Sequence, residues 1–172
     1  MSYIATIQGV LRYPNEKTLA EVLDAVENQS EQWASTLQLD ADTLTLTVPK
    51  NTYRGLGRNL DILTDEATDG WIVGTSNEPS WHGFVHTVTD NGGVVKREID
   101  LNDYVELSDY SFSRKPHRED YASETSWHDK YVVWQSEVES AFIGDIKDQE
   151  SALVPHSIEQ AVSYRKGAAQ QN

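Results

Sequence analysis

The sequence predicts a single α+β domain, with a mostly antiparallel sheet of about five strands and two or three helices packed on one face. Three observations support this class. Apolar residues alternate in several short runs, they recur at helical spacing in other segments, and short turns join consecutive strand-like runs. At 172 residues the chain has the size of one domain. We expect residues 1–147 to form it and residues 148–172 to be a loosely ordered tail.

The first half of the chain alternates strand and helix patterns. Residues 3–13 are rich in β-branched and aromatic side chains, which predicts a first strand. A helix follows, with either Asn15 or Thr18 as its N-cap. Residues 37–39 and 44–48 alternate apolar and polar, which predicts a strand pair that Pro49 ends. The apolar residues at helical spacing are Leu19, Val22, Leu23 and Val26.

A second helix is predicted around residues 53–63, because Tyr53, Leu56, Leu60 and Leu63 lie at helical spacing. Three basic residues in this region are spaced by four, and such a helix would align them in one stripe. A cationic stripe of this kind could anchor a phosphate, a carboxylate or an acidic partner. The plainer interpretation is that the cations pair with acidic groups of the same molecule. These residues are Lys50, Arg54 and Arg58.

The middle of the chain predicts three strands joined by short turns. Residues 71–75, 81–88 and 94–99 are strand-like, and the sequence Asp-Asn-Gly-Gly at residues 90–93 is typical of a hairpin turn. Strands connected in this way form an antiparallel meander. We expect residues 100–125, which are mostly polar, to form a long loop with short helical pieces.

An aromatic stripe predicts the last helix. Helical aromatic stripes belong mostly to a core, and the alternative is an exposed docking face or the seam of a homodimer. A cap is predicted at Ser126, and Gly144 lies near the expected end. The stripe consists of Trp127, Tyr131, Trp134, Val138 and Phe142.

The chain is acidic, with a formal net charge of −14. The charge is −2 over residues 1–60, −8 over residues 61–120 and −4 over residues 121–172, so the negative field concentrates in the middle. Such a field disfavours direct binding of nucleic acid or of an anionic membrane and favours a basic protein partner. A surface kept soluble by charge is the plainer interpretation. Among the acidic residues, Asp65, Glu66 and Asp69 are candidates for partner contact.

A second basic cluster lies in the predicted loop, at Arg114, Lys115 and Arg118. Loops often carry binding residues, although a short basic run is usually only solvated. His82 and His86 would share one face of a strand, but the spacing supplies no third metal ligand. The sequence therefore predicts no metal site.

Motifs of common enzyme classes are missing from the sequence. The chain has no cysteine, which excludes disulfides, thiolate metal sites and thiol nucleophiles. It contains no Gly-x-Ser-x-Gly elbow, no phosphate-binding loop, no dinucleotide-binding fingerprint and no EF-hand loop. We expect no cofactor. The N-terminus lacks the features of a secretory signal, and no apolar run approaches the about 20 residues of a membrane span, so the cytoplasm is the expected compartment.

These observations favour a non-catalytic interaction module that docks its acidic surface, densest around residues 61–109, on a basic macromolecular surface. Inhibitors, immunity proteins and proteins that imitate the charge of DNA are of this type. The alternative is a small enzyme or binding domain for an anionic ligand, with its site at Arg54, Arg58 and the 114–118 loop. Adaptation of the charge to a salty cytoplasm is a third interpretation.

Overall fold

The computed structural model describes residues 4–53, 58–108 and 112–150, and their side chains up to residue 146. Within these ranges it contains six strands and five α-helices, so the predicted α+β class is confirmed, with one more strand and more helices than expected. The strands are β1 (Ala5–Arg12), β2 (Gln38–Asp40), β3 (Thr45–Tyr53), β4 (Asp69–Ser76), β5 (His82–Val88) and β6 (Val94–Asp100). The helices are α1 (Glu16–Gln29), α2 (Glu31–Thr36), α3 (Asn59–Asp65), α4 (Leu101–Ser108) and α5 (Glu124–Glu150), with a 3₁₀ turn at Arg118–Asp120.

The helix termini follow from short polar side chains. Asn15 is the N-cap of α1, since its Oδ1 accepts a 2.8 Å bond from the Thr18 amide. The last helix begins before the predicted cap, and Ser123 Oγ accepts a bond from the amide of Ser126. This helix continues to Glu150, three residues into the predicted tail. The rest of that prediction, residues 151–172, lies outside the described residues.

The strands form one antiparallel sheet in the order β2-β3-β1-β4-β5-β6. The predicted meander corresponds to β4, β5 and β6. Helices cover both faces of the sheet, so the expectation of helices on one face is wrong. Ile72 and Phe84 belong to one apolar core, whereas their chain neighbours Val73 and Val85 belong to another. Because side chains alternate along a strand, β4 and β5 are buried on both sides.

The first layer consists of α1, α2 and α3, which bury Leu19, Val22, Trp33 and Leu63 in the core on the first face. The second layer consists of α4 and α5 on the opposite face, where Trp134, Val138 and Phe142 are buried with Tyr104. The aromatic stripe of the last helix is therefore core at these positions. A homodimer through this helix stays a prediction.

Strand β3 continues through Pro49, and the helix predicted from Tyr53 onward is wrong at its start. The pairing of β1 with β3 shifts between Ile7 and Gly9, which pair with Asn51 and Val48 respectively. This bulge admits Pro49 into the strand, because proline is tolerated where a ladder hydrogen bond is missing. It also changes which side chains face the first core, from Leu46 and Val48 before the bulge to Tyr53 after it.

Candidate functional site

The outer surface of the first layer is acidic. On α1, the side chains of Glu21, Asp24 and Glu27 are spaced by three and lie opposite the buried Leu19, Val22 and Val26. All three carboxylates are exposed. The net charge of each third of the chain did not reveal this stripe, because residues 1–60 together have a net charge of only −2. The spacing of acids on the outer side of a predicted amphipathic helix was the signal that could have found it.

The carboxylates of α3 lie in the same layer, since α1 and α3 pack on each other and share one core. Asp65 is the last residue of α3 and Glu66 follows it, and both are exposed. Asp61 is the exception in this group, because its Oδ1 is paired with Lys96 Nζ at 3.1 Å. Helices α1 to α3 with their flanking residues 58 and 66 carry eight acidic residues and two basic ones. The acids are Glu16, Glu21, Asp24, Glu27, Glu31, Asp61, Asp65 and Glu66, and the bases are Lys17 and Arg58. We call this surface the acidic layer.

Asp69 does not belong to the acidic layer, although the sequence grouped it with Asp65 and Glu66. It begins β4, where it pairs directly with Arg12 of β1. The two residues line a shallow cleft of about 90 Å³ together with Thr45. The sheet, and not the helices of the acidic layer, therefore sets the position of Asp69.

The predicted basic stripe is not formed. Lys50 lies in β3, and its Nζ donates a 3.0 Å bond to Ser140 Oγ of α5 in the second layer. Arg58 precedes α3 in the first layer. The two cations therefore lie on opposite sides of the sheet, because a strand instead of a helix leads away from Lys50. Arg54 lies outside the described residues.

A polar cleft of about 170 Å³ surrounds Lys50, and it is lined by the hydroxyl-bearing Thr6, Thr52 and Ser136 and by Glu139. Glu139 Oε2 accepts a 3.0 Å bond from the Thr75 hydroxyl. Burial raises the pKa of the Glu139 carboxyl, against the opposing effects of the Thr75 hydrogen bond and of the positive charge of Lys50. The cleft thus holds a carboxyl group that takes up a proton more readily than an exposed one.

The segment at residues 112–118 is bonded to α5. Trp134 Nε1 donates to the carbonyl of Ser113 at 2.9 Å, and Trp127 Nε1 donates to the carbonyl of Pro116 at 3.2 Å. The amide of Ser113 donates to Glu137 Oε1 at 3.0 Å. Arg114 and Lys115 lie between these anchor points and are exposed. Arg118 starts the 3₁₀ turn, and its Nη1 donates to the Tyr121 carbonyl at 3.0 Å.

A cleft of about 320 Å³ lies between this segment, α4 and α5. Apolar side chains form part of its wall, namely Val105, Phe112 and Trp134. The Lys115 ammonium lies 5.7 Å from the ring centroid of Trp134 and 5.9 Å from that of Tyr131, which are cation–π distances. The other residues that line the cleft are Glu106, Ser113 and Arg114. We call it the Trp134 cleft.

The two basic groups named by the alternative function are therefore apart. Arg58 belongs to the first layer, and the 114–118 segment packs against α5 in the second. The sheet lies between them. A joint site of Arg58 with this segment is not formed.

His82 and His86 lie on β5, as predicted, with the ring of Phe84 between them at 6.0 Å and 5.3 Å. Within the described part of the chain, no three His, Asp or Glu residues are grouped so that they could hold a metal ion. No helix in that part is both long enough and apolar enough to traverse a bilayer.

Comparison of the chain with protein-family models, with curated proteins and with solved structures finds no match.

Proposed function

We propose that this protein is a non-catalytic interaction module that docks its acidic layer on a basic surface of another protein. The observation that carries the proposal is the juxtaposition of two sets of exposed carboxylates. Glu21, Asp24 and Glu27 of α1 lie in the same helical layer as Asp65 and Glu66 at the end of α3. The type of protein meant is an inhibitor, an immunity protein or a charge mimic.

The physical basis is the imbalance of charge in this layer. The layer has eight acidic residues and two basic ones. One of the acids, Asp61, is partly neutralised by Lys96 of β6. Like charges held on packed helices produce a negative potential that reaches about one Debye length, roughly 8–10 Å at physiological salt. Such a potential steers a basic partner toward the layer and selects against nucleic acid.

The proposed docking surface differs from the one that the sequence indicated. The linear charge density indicated residues 61–109, whereas the proposed surface includes α1 and omits Asp69, which belongs to β4. A partner would contact two helices whose nearest ends, Gln29 and Asn59, are 30 residues apart in the sequence. Peptides of the middle segment would therefore not reproduce the binding surface.

Capture of partners from native lysate at low and at high salt tests the proposal. The tagged protein is compared with a variant that carries Glu21→Gln, Asp24→Asn and Glu27→Gln. We expect the wild type to retain a basic protein at low salt and to lose it as salt rises. The triple variant should bind the purified partner roughly tenfold more weakly, because each exposed charge contributes a few tenths of a kcal/mol or more.

A control variant removes the same number of charges outside the acidic layer, with Asp90→Asn, Glu119→Gln and Asp129→Asn, all at exposed positions. It should bind like the wild type. Equal weakening by the two triple variants would show that net charge alone matters, and a wild type without a salt-sensitive basic partner would overturn the proposal.

A further inference from the structure

The second layer carries a feature that the acidic layer does not explain. The 112–118 segment has little regular structure of its own, yet hydrogen bonds from side chains of α5 hold its backbone at two points. Ser113 is held by Trp134 and Glu137, and Pro116 is held by Trp127. Two of the five tryptophans of the chain thus donate their indole N–H groups to one short segment.

The consequence of this anchoring is that the cations of the segment are presented at a defined place. A backbone fixed on both sides of Arg114 and Lys115 limits where their side chains can reach. The Lys115 ammonium lies over Tyr131 and Trp134, at the wall of the Trp134 cleft. Fixing the chain in advance reduces the entropy that a ligand must otherwise overcome on binding.

The cleft combines the two chemistries that a small organic anion requires. Its apolar part, formed by Val105, Phe112 and Trp134, suits a flat hydrocarbon ring. Its charged part contains Arg114 and Lys115 against one carboxylate, that of Glu106, so the lining is net positive in a strongly acidic protein. The volume of about 320 Å³ lies at the lower end of the range for small-molecule sites.

We propose that the Trp134 cleft binds a small aromatic anion, with its ring against Val105 and Phe112, next to the accessible edge of the largely buried Trp134, and its carboxylate or phosphate group at Arg114 and Lys115. Arg114 supplies a planar guanidinium that can donate two parallel hydrogen bonds to such a group. Lys115 supplies a second, compact positive charge. This site is independent of the acidic layer, which lies on the other side of the sheet.

The test uses 2-naphthoate as the probe and the five indole N–H signals of the ¹⁵N-labelled full chain as the readout. The Trp134 signal is assigned by its loss in Trp134→Phe. We expect 2-naphthoate to shift the Trp134 signal saturably and to leave that of Trp33 unchanged, since Trp33 is buried in the first core. The uncharged 2-naphthamide and the ring-free anion acetate should each bind much more weakly.

The variant Arg114→Gln/Lys115→Gln should weaken binding of 2-naphthoate at least about tenfold, because each charge-assisted contact that is lost costs about that factor. Both side chains are exposed, so the fold should be retained. Lys17→Gln/Lys130→Gln removes two exposed cations outside the cleft and should bind like the wild type. The proposal is overturned if the Trp134 signal does not shift, if naphthoate and naphthamide bind equally, or if the cleft variant binds like the wild type.

Discussion

The hydroxyl group of Tyr13 donates a 2.6 Å hydrogen bond to the carbonyl oxygen of Leu63, and both residues are buried. Tyr13 follows the end of β1, whereas Leu63 lies in the last turn of α3. The last four carbonyls of a helix have no partner within it, so Tyr13 satisfies a group that burial would otherwise leave unpaired. Burial also raises the pKa of the Tyr13 phenol. The bond ties α3, and with it Asp65, to the sheet.

Replacing Tyr13 by phenylalanine should lower the free energy of unfolding by about 1–3 kcal/mol, because a buried carbonyl loses its donor. The measurement is denaturant unfolding of the wild type and of Tyr13→Phe. Tyr131→Phe is the matched control, since Tyr131 is half-buried and packs through its ring. A Tyr13→Phe variant as stable as the control would contradict this role of the bond.

Two glycines should respond in opposite ways to alanine. A Cβ at Gly83 would lie 2.5 Å from the buried ring of Phe142, so Gly83→Ala should cost about 1–3 kcal/mol through overpacking. Gly144 lies inside α5, and among the described residues no atom beyond its own stretch of helix lies within 4 Å of such a Cβ, so Gly144→Ala should stabilise by about 0.5–1 kcal/mol. Thermal unfolding of both variants checks the signs.

The cause of the Gly83 effect can be separated from general strand damage. In Phe142→Leu the ring that opposes the added methyl group is gone, so Gly83→Ala should cost less in that background than in the wild type. Additive effects of the two substitutions would mean that contact with Phe142 is not the reason.

The pKa of His86 should move in opposite directions when two of its charged neighbours, Lys96 and Asp61, are neutralised one at a time. Burial lowers this pKa, the positive charge of Lys96 lowers it further, and the carboxylates of Asp61 and Glu98 raise it. Lys96→Gln should therefore raise the pKa of His86, and Asp61→Asn should lower it. An NMR titration of the His86 ring measures both shifts.

Lys17→Gln serves as the control for His86, because it removes an exposed cation on α1 that does not act on this ring. It should leave the titration unchanged. Shifts of the same sign in Lys96→Gln and Asp61→Asn would contradict the arrangement of charges around His86.

Glu139 should make stability depend on pH. Its pKa is raised in the folded state, so the folded protein binds this proton more tightly than the unfolded chain does. The contribution is present below the unfolded pKa and is lost as pH rises through the folded pKa. Glu139→Gln keeps an acceptor for Thr75 but has no group that ionises. The wild type loses stability at this site as pH rises and the variant does not, so the stability of the variant relative to the wild type should increase between about pH 5 and about pH 8.

Denaturant unfolding at the two pH values measures this difference for Glu139→Gln and for the exposed control Glu21→Gln. Contributions of the other carboxyl groups are common to the wild type and the variants, so they cancel in the comparison. If the wild type and Glu139→Gln have parallel profiles, the buried carboxyl does not govern the pH dependence.

Elements that depend on local pattern could be predicted from the sequence. The helix at Leu19, Val22 and Val26 and the hairpin around residues 90–93 follow from spacing and turn residues that act within a few positions. The helix that carries Trp134 was predicted in the same way, and its aromatic residues could be assigned to a core by frequency alone. Its packing on Gly83 could not, since nothing local connects the two.

The candidate sites were predicted less well, because proximity in sequence was taken for proximity in space. Lys50 and Arg58 share a helical spacing, but a bulge lets β3 pass through Pro49 and the sheet separates them. Asp69 is three residues from Glu66, yet the start of β4 pairs it with Arg12.

The sequence by itself determined the α+β class, the acidic charge, the absence of cysteine chemistry and most of the local elements. Only the tertiary structure decided that helices cover both faces, that α1 and α3 form one acidic layer, and that Arg114 and Lys115 stand at an apolar cleft. The physical reason is that periodicity fixes which side of an element is apolar. Which distant element covers that side is set by strand order and by packing across the sheet.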